Sequence, residues 1–309
     1  MPFISICIPA YKNTEYLSRL LDSIAIQDFK NFEVIITDDS PDNALNDLVK
    51  QYASKFQINY IKNNPALGSP LNWNAAILNA HGEWIKIMHD DDWFTSKTSL
   101  SSFAEVGKST NIDFVFSGYY EVDIQLKKRH CSIISNHEEA LIRKSSFNLL
   151  KKNFIGHPST TLIRNNKKKW FDPNLKWVVD IEFYIRILRT NKKFCVIKKP
   201  LITIGINPLQ ITKKVFRDPT VEIPENLLLL ELNPALLKNF YAYDYYWRLF
   251  RNLSLRSLND LQNYNSNASI PSALKNMLFF QRKFPLKALR NGFISKILMT
   301  ISYVKNKKK

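Results

Sequence analysis

Three consecutive carboxylates, Asp90, Asp91 and Asp92, stand between His89 and Trp93. They close an apolar run, Glu83-Trp84-Ile85-Lys86-Ile87-Met88, that reads as a strand. Two unit charges ~4 Å apart repel by about 4 kcal/mol at an effective dielectric near ~20. A divalent cation reverses that cost, because hard cations take carboxylate oxygens. Side chains alternate along extended backbone, so Asp90 and Asp92 can share a side while Asp91 points away. A metal held there could grip a diphosphate. The bland alternative is a solvated acidic turn or a helix N-cap cluster. Two more polar clusters accompany the triplet, Pro9-Ala10-Tyr11 and Asp38-Asp39-Ser40. Tyr11 offers a ring to stack on a base, or it packs as an ordinary loop aromatic. Asp38 and Asp39 can accept hydrogen bonds from a base imide or ribose hydroxyls, or form an Asx turn with Ser40 and Pro41.

The elements around these clusters explain why they belong together. Phe3–Ile8, Phe32–Thr37, Ile58–Ile61 and Trp84–Met88 read as strands. Helical patterns separate them. One opens at Thr14 with Leu17, Leu20, Leu21 and Ile24 on one face; the others are Ala44–Lys55 and Leu71–Ala80. Strands alternating with helices imply a mostly parallel sheet flanked by helices, an α/β fold. In open sheets of this kind ligands bind at the carboxyl ends of the strands. All three clusters stand there. Further on, Asp113–Tyr120 reads as a strand, Lys127–Asn136 as a basic loop and Glu138–Lys151 as a helix. Asp180–Arg189 reads as a short helix, followed by strand-like runs at Phe194–Ile197 and Leu201–Ile206. Beyond about residue 220 the pattern is helical and aromatic.

The chain has 309 residues, 44 Lys or Arg, 27 Asp or Glu and a formal charge of +17. That balance points to an anionic partner: nucleic acid, an acidic membrane surface or a phosphorylated substrate. Cys7, Cys131 and Cys195 are scattered, which suits a reducing cytoplasm. No apolar run reaches the ~18 residues of a spanning helix. The first strand is not followed by a glycine-rich turn, and no Walker-type lysine loop or HExxH motif occurs. With only seven glycines, any phosphates must be held by side chains and a metal.

Taken in order and spacing, these segments resemble the family 2 glycosyltransferases, which have the GT-A fold with a Rossmann-like sheet. The resemblance runs from Ile4 to about Arg189. Ser5 through Asn13 looks like the family's opening strand and base-stacking loop, and Phe32 through Ser40 like its second-strand motif. Asn64 through Asn74 resembles the segment before the donor phosphates, and Ala80 through Lys86 the approach to the acidic motif. The resemblance implies a nucleotide-sugar site at Pro9, Ala10, Tyr11, Asp38, Asp39, Ser40, Asn64, Gly68, Asn72, Asn74 and Asp90. His157, in Gly156-His157-Pro158-Ser159, matches a loop that often lines the acceptor side and is a candidate contact to the diphosphate or the acceptor; a structural turn histidine is the alternative. Many members have Asp where this chain has His89, so the DXD motif here is DDD. Asp91 matches the main metal-ligand position, with Asp90 and Asp92 as further metal candidates for Mn²⁺ or Mg²⁺. Phe171-Asp172-Pro173-Asn174-Leu175 resembles the segment before the general base of inverting members, which makes Asp180 the base candidate. A plain helix N-terminal Asp, favoured by the helix dipole, is the alternative for Asp180.

These readings divide the chain into a catalytic domain over 1–215 and a helical, basic region over 216–309. From Leu261 to Lys309 there is no Asp or Glu, yet ten Lys or Arg. Leu286, Leu289, Phe293, Ile297, Ile301 and Val304 follow helical spacing. This describes either a basic amphipathic helix on an anionic membrane surface or a helix packed into the core. The leading function is an inverting, metal-dependent transferase using a nucleotide-diphosphate sugar, UDP-linked by preference. The acceptor would be a glycan or lipid-linked, in surface-polysaccharide synthesis at the inner face of the cell membrane. A catalytically inactive sugar-nucleotide-binding partner is the alternative. A basic nucleic-acid-binding protein is a third, disfavoured because no recognised module interleaves aromatics with Lys and Arg.

Overall fold

The computed structural model describes every residue except 110, 124–125, 167–169, 191–192, 208–214, 266–268 and 308–309. The described chain packs as two compact units. The first comprises Met1–Ala140, Phe154–Leu175 and Arg186–Gln210; the second comprises Leu141–Asn153, Lys176–Ile185 and Ile211–Lys309.

In the first unit, β1 (Ile4–Ala10), β2 (Phe32–Asp38), β3 (Ile58–Lys62) and β4 (Trp84–Ile87) run parallel. Apart from the half-buried Phe32, β1, β2 and β4 are buried throughout, as strands with both faces covered must be. Helix α1 (Thr14–Ala25) starts where Asn13 Oδ1 accepts from the Tyr16 backbone N–H at 2.9 Å. Its buried stripe is Leu17, Leu20, Leu21 and Ile24, the spacing read from the sequence. These residues join Ile4, Ile6, Ile8, Val34 and Ile36 in one core. Full burial of each such side chain contributes about 1.5–3 kcal/mol. Helices α2 (Ala44–Lys50) and α3 (Leu71–Leu78) make the other crossovers.

Past β4 the sheet becomes mixed. Its order is β3-β2-β1-β4-β8-β6-β9-β5, with β5 at Trp93–Phe94, β6 at Phe114–Asp123, β8 at Thr161–Arg164 and β9 at Phe194–Ile206. Helix α4 (Ser99–Gly107) links β5 to β6. The helices expected over Ala44–Lys55 and Glu138–Lys151 end at Lys50 and Lys144, and two details of the strands also differ from the expected elements. The basic segment after Lys127 holds a strand, β7 (Lys128–Ser132), antiparallel to β6 and largely exposed. Its side chains carry charge instead of apolar alternation, a way of protecting an edge. The runs on either side of Pro200 form one strand, β9, whose register against β6 shifts opposite Ser117 and Gly118. Proline cannot donate to the ladder, so the irregularity falls there.

Helices α5 (Asn136–Lys144) and α6 (Val179–Thr190) have residues in both units. The second unit also holds α7 (Pro219–Leu232), α8 (Phe240–Asn252), α9 (Leu258–Gln262), α10 (Ser272–Arg282), α11 (Leu286–Arg290) and α12 (Gly292–Lys307). Tyr243, Tyr246, Trp247 and Phe250 of α8 are buried and form its centre. Among the described residues, no helix is long and apolar enough to cross a membrane.

Candidate active site

The carboxyl ends of β1 to β4 are knitted into one cradle by short polar bonds. The Tyr11 backbone N–H donates to Asp90 Oδ2 at 3.0 Å. The Lys12 N–H donates to Ser40 Oγ at 2.7 Å, from a backbone with φ +62°. Asp39 accepts from Asn63 Nδ2 at 2.7 Å, from the Leu67 N–H at 3.0 Å and from the Gly68 N–H at 2.8 Å. Gly68 has φ +73°, a conformation that a Cβ would strain. Asn72 accepts from Asn63 Nδ2 at 2.9 Å. The structure therefore brings Pro9, Ala10, Tyr11, Asp38, Asp39, Ser40, Asn64, Gly68, Asn72 and Asp90 to one rim.

Within that rim the residues differ in what they offer. Tyr11 is 54% exposed and presents its ring outward. Asn64 is exposed. Asp38 is buried, and Ser40 N–H (2.7 Å), Tyr60 Oη (2.6 Å) and Lys62 Nζ (2.9 Å) all donate to it. Burial opposes its ionisation, but those donors outweigh burial and hold Asp38 below the ordinary carboxylate range. Asn74 clamps the Phe171 backbone, donating to its carbonyl at 2.8 Å and accepting from its N–H at 3.0 Å.

The acidic triplet is a tight turn, closed by the Asp92 N–H on the His89 carbonyl at 3.0 Å. Residues remote in sequence hold it. Arg19 Nη2 donates to the Asp91 carbonyl at 3.2 Å while its guanidinium covers the Trp93 ring at 4.1 Å. Asn207 Nδ2 donates to Asp91 Oδ2 at 2.9 Å, and the Gly205 N–H to Asp92 Oδ1 at 3.2 Å. A Cβ on Gly205 would lie 2.3 Å from the Asp91 carbonyl oxygen, so only glycine fits. Ser159 Oγ accepts the His89 N–H at 3.0 Å. Buried Lys86 donates to the Ser159 carbonyl and lies between the Phe94 and Phe103 rings.

One carboxylate or imidazole atom from each of His89, Asp91 and Asp92 converges within 4.8 Å. His89 Nε2 is buried with no hydrogen-bond partner among the described residues. Burial, then His157 and Lys86, push His89 down to about 3, so its imidazole is neutral near pH 7 and can be a ligand. Burial, then the Asp91 charge, push Asp90 up to about 7. Asp92 shifts the same way for the same reasons. Positive charge at this point would relieve both, so the donor set fits a divalent cation. Asp90 turns to Tyr11, which leaves His89, Asp91 and Asp92 as the converging set. His157 stacks edge-on against Tyr119 at 5.6 Å, with Nε2 3.8 Å from Glu121.

Asp180 belongs to the second unit, in the first turn of α6. Its Oδ2 accepts from Asn153 Nδ2 at 3.1 Å. Buried Glu225 of α7 accepts three backbone N–H groups just before α6: Lys176 at 2.8 Å, Trp177 at 2.8 Å and Val178 at 3.0 Å. A cleft of about 150 Å³ opens in the same unit, lined by Trp177, Phe216, Arg217, Tyr245 and Arg248 among others. Sequence reading missed Arg19, Ser159, Gly205, Asn207 and Glu225. Only Gly205 carried a signal, as one of seven glycines in a strand-like run.

The family described as Glycosyl transferase family 2 matches residues 5–168, more than half of the chain. The chain belongs to glycosyl transferase family 2. It is 30% identical over 215 residues to an uncharacterized glycosyltransferase of Methanocaldococcus jannaschii, covering 66% of this chain and 71% of that protein. It spans about three fifths of the length of uncharacterized glycosyltransferases of Rickettsia typhi and Rickettsia prowazekii, to which it is 28% identical. It is 30% identical over 120 residues to WfaP of Escherichia coli, a UDP-Glc:alpha-D-GlcNAc-diphosphoundecaprenol beta-1,3-glucosyltransferase, covering 39% of this chain and 47% of WfaP. Among solved structures it resembles S. aureus TarS 1-349 in complex with UDP, with a TM-score of 0.65, 19% identity and coverage of 99% of this chain and 89% of that one. The fold is therefore of the GT-A glycosyltransferase type with a helical C-terminal region, as the sequence motifs implied.

Proposed function

We propose that this glycosyltransferase is inverting and metal-dependent, moving a sugar from a UDP-sugar to a glycan or lipid-linked acceptor in surface-polysaccharide synthesis. The observation that carries the reading is the convergence of His89, Asp91 and Asp92 beside a rim that presents an exposed Tyr11. Tyr11 would stack on the base, and the polar rim at Asp39, Asn64 and Gly68 would take the nucleoside. His89, Asp91 and Asp92 would hold Mn²⁺ or Mg²⁺, which supplies charge neutralisation for a diphosphate leaving group. An imidazole among the ligands favours Mn²⁺ over Mg²⁺.

Asp180 would accept the proton of the acceptor hydroxyl as that oxygen bonds to the anomeric carbon and the diphosphate departs from the opposite face. Asn153 donates to its carboxylate, and Glu225 accepts the backbone N–H groups of the segment just before α6. The cleft beside Trp177, lined by aromatic rings together with Arg217, Glu222 and Arg248, suits a sugar. The diphosphoundecaprenol-linked acceptor named for WfaP supports a lipid-linked acceptor here, and such an acceptor would call for peripheral contact with the inner face of the cell membrane.

The test is UDP release from a panel of UDP-sugars, with Mn²⁺ or Mg²⁺, by wild type and Asp91→Asn. Metal-dependent release by wild type alone supports the reading. No release from any donor at any metal concentration, with UDP still bound, would favour the inactive sugar-nucleotide-binding alternative.

A further inference from the structure

A surface helix of a globular protein normally turns its apolar stripe inward. Helix α12 does the reverse. Its buried positions are Ser295, Met299 and Ser302, and Asn306 beside them is half-buried. Ser295 Oγ accepts from Trp247 Nε1 at 3.0 Å and from Arg251 Nη1 at 3.2 Å. Ser302 Oγ lies 2.7 Å from the Tyr243 hydroxyl, to which Asn306 Nδ2 also donates at 2.6 Å. Polar bonds to α8 flank the buried Met299 and seat this helix, while five of its large apolar side chains are left outside. Phe293 is 77% exposed, Ile294 41%, Ile297 46%, Ile301 41% and Val304 46%.

At about 100° per residue, these five side chains fall within one arc of about 100°. Lys305 borders one edge of that arc, and Lys296 and Lys307 border the other. Lys296 pairs with Asp244 at 3.1 Å. Lys287 and Arg290 of the preceding α11 are exposed as well. Of the spaced apolar residues Leu286, Leu289, Phe293, Ile297, Ile301 and Val304, Leu289 is buried and Leu286 half-buried, while the four on α12 are exposed.

We propose that the outward face of α12 docks on an anionic phospholipid bilayer, with Phe293, Ile297 and Ile301 entering the acyl boundary and the lysines reaching lipid phosphates. Charge complementarity selects this occupant. No acid occurs from Leu261 to Lys309 against ten cations, so a second copy of the same face would be repelled while anionic headgroups are attracted. At 16 residues the helix is ~24 Å long, short of the ~30 Å hydrocarbon core, so it lies in the interface and does not span it.

The test is co-sedimentation of the full chain with phosphatidylcholine vesicles containing or lacking phosphatidylglycerol. It is read for wild type, for the triple variant Phe293→Ser, Ile297→Ser, Ile301→Ser, and for Lys305→Glu, Lys307→Glu. All these side chains are exposed, so the variants should fold, which circular dichroism checks. Wild type should bind the anionic vesicles, and each variant should partition at least about tenfold more weakly. Binding is read without sugar transfer, so the result is separate from the assignment of donor and acceptor. Undiminished partitioning of the triple variant would overturn the proposal. So would equal wild-type binding to neutral and anionic vesicles. Wild type that ignores vesicles but self-associates, and becomes monomeric in the triple variant, would assign the face to a second copy instead.

Discussion

The Tyr11 backbone N–H donates to Asp90 Oδ2 at 3.0 Å, tying the loop after β1 to the acidic turn after β4. Asp90 is thereby bound to the loop that carries Tyr11, apart from the converging His89, Asp91 and Asp92. Asp90→Ala should weaken uridine binding several-fold even with chelator present, because uridine has no diphosphate for a metal to grip. Asp91→Asn should leave uridine affinity unchanged and weaken UDP. Calorimetry with both ligands separates the two roles, and equal effects of both substitutions on uridine would erase the distinction.

Asp180→Asn should keep UDP affinity and lower transfer by about 10²–10⁴-fold, the range for a lost general base. Glu225→Ala should also lower kcat with donor affinity kept, because three N–H groups lose the carboxylate that fixes the turn before α6. Steady-state kinetics read the split. A raised KM for donor with unchanged kcat would contradict both roles.

His89→Asn should weaken Mn²⁺ more than Mg²⁺, since it removes a nitrogen donor that the harder ion uses poorly. Electron paramagnetic resonance of Mn²⁺ titrations measures this without turnover. Unchanged Mn²⁺ affinity would remove His89 from the ligand set.

Glu33 supplies a pH-dependent term to the fold. Burial raises its tendency to stay protonated, yet donation from Ser5 Oγ at 2.6 Å and from the His81 N–H at 2.7 Å holds it below its ordinary value of 4.5. Its contribution is therefore complete above pH 4.5 and is lost as pH falls through the depressed folded value. The melting-temperature gap between wild type and Glu33→Gln should be widest near neutrality and narrow in acid. A gap that widens on acidification would show the opposite sign.

The alternation of strands and helices, the stripe of α1 and the clustering of polar groups at strand ends were all legible, because each is local periodicity or follows from a parallel sheet. What holds the acidic turn was not. Arg19, Gly205 and Asn207 meet Asp91 and Asp92 only through the sheet order, and no local pattern announces a contact so distant in sequence. Glu225 stands in α7 with Glu222, Asn226 and Glu231, and nothing in that pattern singles it out. The period of α12 announced a helix with an apolar stripe, but period does not say which way a stripe faces. The hydrogen bond from Trp247 to Ser295 and the one between the Tyr243 and Ser302 hydroxyls turn the opposite face inward.

Titrating UDP into the protein with Mn²⁺ and then with EDTA tests the central claim most directly. His89, Asp91 and Asp92 converge in a cluster whose carboxylates would repel a diphosphate unless a cation lay between them, so affinity should fall at least about tenfold on chelation. Equal affinity in the two conditions would contradict a metal-dependent donor site.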